Sequence, residues 1–317
     1  MPAIPSTTRG ARITGWGAAL PDKIVTNDDL RASGLDTTDD WIRDRTGIVH
    51  RHVGGSTASL SIESGRKALE MSGVDPAEID LLVLATTTPD QHVPATSSHV
   101  QTELGLRCGA FDVNAACSGF AYGLVTAHGF IAMGARKALV IGTDTLSRIT
   151  DWTDRNTAIL FADGSGAVVL EATEGPGQLL GWDLDADGSA RNLLYADIGG
   201  YIHMDGKEVF RRAVRIMVDS ATKSMKHAGI TSDQLALVVP HQANMRIIEA
   251  ACSRIGVGMD RTATVLHRTG NTSSASIPLA LVDSLDTGRV KDGDLVLLVG
   301  FGAGMTAASA VLRWGAR

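Results

Sequence analysis

The sequence predicts an α/β protein built of two similar halves, and three observations carry that prediction: short buried apolar runs, alanine-rich amphipathic segments between them, and one long internal repeat. Residues 81–84 and 138–141 are short, partly β-branched and bounded by turn residues, the pattern of strands covered on both faces. Helical periodicity marks 62–71, 116–133, 209–227, 246–255 and 275–285. Alternation of the two kinds of segment places helices over sheets. The repeat joins Ser72-Gly73-Val74-Asp75-Pro76-Ala77-Glu78-Ile79-Asp80-Leu81-Leu82-Val83 to Ala228-Gly229-Ile230-Thr231-Ser232-Asp233-Gln234-Leu235-Ala236-Leu237-Val238-Val239, each a helix end, a turn and a strand. A break at Gly175-Pro176-Gly177 divides the chain into halves 1–174 and 175–317.

Bulk properties exclude several classes of function. The 317 residues are 44% hydrophobic and 20% charged, enough for a large core, and the net charge of -6 argues against nucleic acid or an anionic membrane as a bulk partner. Residues 1–9 lack the apolar centre of a secretory signal, which predicts a cytoplasmic protein. Residues 295–312 form an uncharged stretch of membrane-spanning length, but its centre, Gly300-Phe301-Gly302-Ala303-Gly304, reads as a turn between two buried strands. Three scattered cysteines, Cys108, Cys117 and Cys252, fit neither a disulfide framework nor a zinc site.

Three polar residues fall at element junctions. Cys117, in Asp112-Val113-Asn114-Ala115-Ala116-Cys117-Ser118-Gly119-Phe120, lies where a strand gives way to a helix, whose N-terminus favours a thiolate; a buried core cysteine is the alternative. His241 follows strand 235–239 in Val239-Pro240-His241-Gln242-Ala243-Asn244, at a strand end where α/β sites form or where a loop histidine is simply hydrogen-bonded. Asn271, in Gly270-Asn271-Thr272-Ser273, enters another helix as a site residue or as a cap.

Over essentially its whole length the chain resembles the β-ketoacyl-acyl-carrier-protein synthase III family, the initiating condensing enzymes of the thiolase superfamily. The cysteine motif, the His-Gln-Ala-Asn motif, Gly270-Asn271-Thr272-Ser273, Gly300-Phe301-Gly302-Ala303-Gly304, Thr38-Asp39-Asp40-Trp41-Ile42-Arg43-Asp44-Arg45-Thr46-Gly47-Ile48 and Phe161-Ala162-Asp163-Gly164-Ser165-Gly166-Ala167 carry the resemblance. It implies a five-layered αβαβα fold, a homodimer, and a catalytic triad of Cys117, His241 and Asn271. Acyl transfer from acyl-CoA to Cys117 would precede decarboxylative Claisen condensation with malonyl-acyl carrier protein, initiating fatty acid synthesis. Both are substrates, so neither metal nor resident cofactor is implied. Backbone amides of Cys117 and Ala303 would form the oxyanion hole; only backbone donates there, so Ala303 can stand where glycine is more usual. A histidine in place of Asn271 would resemble the elongating synthases, a glutamate hydroxymethylglutaryl-CoA synthase. Thiolases carry another cysteine near the glycine turn, where this chain has Phe301 and Met305.

The same resemblance assigns substrate contacts. Trp41 and Arg155 would sandwich the adenine, Arg45 would meet the phosphates, and Thr37, Gly206, Phe210, Ala243 and Asn244 would line the pantetheine tunnel. Arg211, Arg246 and Arg254 would dock the acidic carrier protein, with Ser253 replacing a basic residue found in some relatives. Phe161 would line the acyl pocket, and Val93 would reach across the dimer interface into the partner's pocket. Its smaller size than the phenylalanine of some relatives implies room for branched or longer primers. A pathway-specific priming ketosynthase or acyltransferase of polyketide biosynthesis would share the triad and differ in pocket and carrier. A catalytically silent acyl-CoA or carrier-protein binding module is the reading outside enzymology, and the intact triad speaks against it. Gly300-Phe301-Gly302 lacks the rest of a dinucleotide fingerprint, and His50 with His52 lacks a third ligand.

Overall fold

The computed structural model describes residues 9–315, so the sequence reading of the first eight residues lies outside it. The first half contains β1 (Ala11–Ala19), β2 (Ile24–Thr26), α1 (Asn27–Ala32), α2 (Asp39–Thr46), β3 (His50–His52), α3 (Thr57–Ser72), β4 (Leu81–Ala85), α4 (Thr96–Glu103), β5 (Gly109–Val113), α5 (Gly119–Ala132), β6 (Lys137–Thr145), α6 (Arg155–Ala158) and β7 (Asp163–Ala172). The second contains β8 (Leu179–Asp185), β9 (Leu194–Ala196), β10 (Ile202–Met204), α7 (Gly206–Ala228), β11 (Leu235–Pro240), α8 (Met245–Ile255), α9 (Leu266–Thr269), α10 (Ser276–Asp286), β12 (Leu295–Gly302) and β13 (Thr306–Arg313).

Two sheets carry the architecture. One runs β1-β7-β6-β4-β5, with β4 parallel to β5 and β6 and with β7 antiparallel to β6 and β1. The other runs β11-β12-β13-β8 with matching directions. The counterpart of β5 is reduced to a single parallel bridge between Val238 and Thr262. The chain leaves the first sheet at Ala172 and enters the second at Leu179.

Strand periodicity sorts the core into layers. Leu82, Leu84, Leu139 and Ile141 face out toward α3 and α4, while Leu81, Val83 and Val140 face inward onto Phe120 and Leu124 of α5. In the second sheet Leu237, Val239, Val296 and Leu298 share that inner layer with α10, and Val238, Leu297 and Val299 pack outward on α7 and α8. Helices α5 and α10 are therefore clamped between two sheets that carry helices on their outer faces, the five-layered αβαβα arrangement. Each fully buried leucine or valine contributes about 1.5–3 kcal/mol of transfer free energy.

The internal repeat is visible as backbone geometry. Gly73 and Gly229 end α3 and α7 in the same left-handed conformation, each with φ of 68°, and each is followed by one 3-10 turn and a strand. Only glycine takes that conformation without a Cβ penalty. Two boundaries differ from the sequence reading. Gly300 to Gly302 continue β12, and the chain turns only at Ala303–Met305; α5 starts at Gly119, after a separate 3-10 turn at Ala116–Ser118.

Asp144, at the end of β6, has no solvent contact and no cation among its hydrogen-bond partners. Its Oδ1 accepts from the Thr86, Thr87 and Thr88 hydroxyls and from the Thr87 and Thr88 amides; its Oδ2 accepts from the Ser274 amide and hydroxyl at 3.0 and 2.7 Å. Asp144→Asn puts an NH2 group among these donors and strands several of them. We expect it to destabilise the protein by about 3–5 kcal/mol, read as a lowered urea midpoint at unchanged m-value. A change below about 1 kcal/mol would contradict this role.

Candidate active site

Cys117 occupies the middle of the Ala116–Ser118 turn, on the inner side of the first sheet and at the start of α5. Ala116 holds φ of 48°, a left-handed conformation that costs a residue with a Cβ. Among the described residues only Ser273 and Met305 share this feature outside glycine, with φ of 51° and 46°. Ala116 and Ser273 lie at this site, and Met305 ends the turn that begins at Ala303. The Cys117 turn presses against β12 so closely that a Cβ on Gly302 would stand 2.7 Å from the Cys117 amide nitrogen. One on Gly300 would stand 3.4 Å from His241 Cβ and 3.7 Å from the Cys117 carbonyl oxygen. The glycines in that stretch thus admit the backbone of Cys117.

His241 leaves the end of β11, where its amide donates to the Val299 carbonyl at 2.8 Å. Its ring meets the edge of Phe301 at 5.4 Å between centroids, and Nδ1 lies 2.6 Å from the Ser276 hydroxyl on α10. With that hydroxyl donating to Nδ1, the neutral ring carries its proton on Nε2. Gln242 beside it gives Nε2 to the Pro240 and Ala263 carbonyls and takes the Val265 and Leu266 amides on Oε1, fixing the segment that leads to α9 and Asn271. Asn271 is tied by its backbone to Leu160 and Ala162, a bridge between the halves, and its Oδ1 accepts the Ser273 amide at 3.0 Å. Its Nδ2 is then the donor left for a ligand.

Cys117, His241 and Asn271 line one cavity of about 600 Å³, together with Trp41, Phe161, Phe210 and Phe301. A second cavity, of about 340 Å³, opens on the other side of the cysteine and shares Cys117, Phe161 and Leu194 with the first. Its wall includes Ala303, Gly304 and Thr306. Cys117 therefore stands at the junction of the two spaces.

Burial governs the electrostatics. It pushes the Cys117 thiol up to about 12, opposed by a hydrogen bond from Ser273 and reinforced by the negative charge of Asp144. Burial thus opposes the thiolate that the helix N-terminus favours. Burial also pulls the His241 imidazole down to about 3, which keeps it neutral.

Two family models for 3-oxoacyl-[acyl-carrier-protein] synthase III match the chain: its C-terminal model at residues 225–314 and a second model at 111–188. The β-ketoacyl-[acyl-carrier-protein] synthase III of Roseiflexus castenholzii is 46% identical, covering 96% of this chain and 98% of that protein. The chain belongs to the 3-oxoacyl-[acyl-carrier-protein] synthase III family. A crystal structure of the Aquifex aeolicus synthase III superposes with a TM-score of 0.94 at 41% identity, over 96% of this chain and 100% of that one. A priming β-ketosynthase from a polyketide biosynthetic pathway superposes at 0.92 with 36% identity, over 98% of both chains.

Within this synthase III chain the other sequence-predicted residues fall into three groups. Trp41, Arg45, Gly206, Phe210, Ala243 and Asn244 line the first cavity. Asn244 also caps α8 through the Arg246 amide and donates Nδ2 to the Arg45 carbonyl, so its side chain ties α8 to α2. Arg155 and Arg45 stack over Trp41 itself, at 4.8 and 4.7 Å from its centroid, and Arg155 would have to swing away to admit a purine. Thr37 departs from expectation: it is buried beside the start of α2, outside the lining of the cavity.

Arg211, Arg246 and Arg254 are exposed on α7 and α8; Arg211 is paired with Glu208 at 2.7 Å and Arg246 lies over Phe210. Lys207 joins Arg246 in the lining of the first cavity, a charge that sequence reasoning missed. Phe161 lines both cavities, whereas Val93 is 83% exposed and lines neither in this chain.

A thiol held protonated makes a kinetic prediction. Alkylation of Cys117 by iodoacetamide, followed at the peptide level to separate it from Cys108, should accelerate nearly tenfold per pH unit between about pH 6 and pH 9. A plateau beginning below about pH 8 would mean that the thiolate is already formed.

Proposed function

We propose that the chain catalyses the priming condensation of fatty acid synthesis, with Cys117 as the acyl carrier, and that the sulfur's place at the junction of two cavities is the observation that carries this reading. In the first half-reaction Cys117 sulfur bonds to the acyl carbon, the bond to the coenzyme A sulfur breaks, and the thiol proton leaves on coenzyme A. Backbone amides of Cys117 and Ala303 receive the tetrahedral oxyanion. The acyl group then occupies the second cavity.

In the second half-reaction malonyl-acyl carrier protein loses carbon dioxide. The electron pair of the broken carbon–carbon bond becomes an enolate, whose oxygen takes hydrogen bonds from His241 Nε2 and Asn271 Nδ2. The carbanion attacks the acyl carbonyl, a new carbon–carbon bond forms, and Cys117 departs as a thiolate that takes up a proton from solution. A neutral imidazole suits this step, because it donates without adding a charge that would hold the malonyl carboxylate in place.

Arg246, Arg254 and Lys207 support docking of an acidic carrier, and Arg211 contributes less because Glu208 already neutralises it. We read the halves 1–174 and 175–317 as a duplicated pair, the protein as cytoplasmic, and its chemistry as needing no resident cofactor or metal. A homodimer is favoured by the free edge of β5, where Phe111 leans on the partly exposed Phe130. Val93 would then reach the partner's acyl pocket.

Incubation with acetyl-CoA should add one acetyl group to Cys117 by mass spectrometry, and His241→Ala should retain that loading while losing condensation by more than about a hundredfold. No adduct on Cys117 would leave only a binding module. For the pocket, isobutyryl- and octanoyl-CoA should prime the native protein, and Val93→Phe should lower the octanoyl rate against the acetyl rate by about tenfold or more. Priming by acetyl-CoA alone would refute the role given to Val93.

A further inference from the structure

We propose that the second cavity also takes acyl groups bearing a carboxylate at their far end, beside the uncharged primers, and that Arg191 receives it. This rests on the acyl-transfer reading above and adds the substrate class. Among the residues lining the cavity, Arg191 alone carries a formal charge. It makes no hydrogen bond or ion pair among the described residues, and the nearby acids are committed elsewhere: Asp187 to Ser189 and Arg212, Asp185 to Lys223.

The hydrogen-bonding balance of the wall points the same way. Asn114 spends Oδ1 on the Ala116 amide, and among the described residues neither its NH2 group nor the Tyr195 hydroxyl has a partner. Thr87 and Thr306 direct their hydroxyls away, to Asp144 and to the Ala115 carbonyl. Among the described residues, Arg191 and the Asn114 amide group are thus donors of the wall left without a partner. Arg191 is exposed while lining the cavity, so a hydrocarbon tail leaves it in water and gains nothing from it, whereas a distal carboxylate accepts two parallel N–H···O bonds.

The ligand class is the mono-coenzyme A thioester of a dicarboxylic acid. Its thioester carbon bonds to Cys117 sulfur, the bond to coenzyme A sulfur breaks, the thiol proton leaves with coenzyme A, and the distal carboxylate passes through unchanged.

The test compares succinyl- and glutaryl-CoA with butyryl-CoA, reading both coenzyme A release and the mass of the Cys117 adduct, in the native protein and in Arg191→Gln and Arg191→Lys. The native protein should load a dicarboxylic primer, Arg191→Gln should lower the ratio of dicarboxylic to butyryl kcat/KM at least tenfold, and Arg191→Lys should recover part of it. Loading of butyryl without either dicarboxylic primer overturns the subsite and leaves the acyl-transfer reading standing. An unchanged ratio in Arg191→Gln does the same, and a dimer weakened in that variant would reassign the guanidinium to the partner's surface. Loading of neither primer class overturns the acyl-transfer reading and the subsite with it.

Discussion

The site depends on a carboxyl group that touches no ligand. Asp144 gathers the Thr86–Thr88 segment after β4 and the turn before α10, joining a strand end of one half to a helix start of the other. Because a buried carboxylate without a cation is tolerable only when its oxygens are filled with donors, these segments cannot separate without exposing it unsatisfied. Its charge also lies close enough to raise the Cys117 thiol. The group that fixes the geometry therefore works against ionisation of the nucleophile.

The pseudo-symmetry of the fold extends to the site. The turn Ala116–Ser118 before α5 and the turn Ser273–Ala275 before α10 are the same structure, each opening on a left-handed non-glycine residue and each feeding a central helix. In one copy the middle residue is Cys117. In the other it is Ser274, which donates to Asp144 and to the Ala85 carbonyl. One strained turn thus presents the nucleophile while its twin anchors the scaffold, and the strain is held in place by the two sheets that clamp both helices.

Much of this was legible in the sequence wherever the signal was local. Buried strands followed from period and length and helix ends from Gly73 and Gly229, while the three junctions offered only candidates that the family resemblance joined into a triad. Signals that depend on chain-distant partners were silent. Gln242 and Ser276 look like ordinary polar residues until Val265 and His241 are set beside them. Thr37 was matched by position, yet its side chain lies buried outside the cavity lining. The glycines at 300 and 302 suggested a turn because glycine breaks strands; they are there because the cysteine's backbone leans on β12. For Cys117 the helix N-terminus that favours a thiolate is visible in sequence, whereas the desolvation that opposes it is not.

Those two neutral groups set the terms of the chemistry. Raising a thiol from 9 to about 12 withholds the thiolate by about 4 kcal/mol, and lowering an imidazole from 6.5 to about 3 withholds the imidazolium by roughly 5 kcal/mol. The first opposes acyl transfer; the second favours decarboxylation, which runs best where no cation steadies the carboxylate. Both come from the same burial, so a more solvated site that eased ionisation of Cys117 would also admit a charged His241 and water to hydrolyse the thioester. On the proposed mechanism the fold accepts a reluctant nucleophile to keep a dry chamber, and the amides of Cys117 and Ala303 would recover the deficit at the one moment charge develops, on the oxyanion.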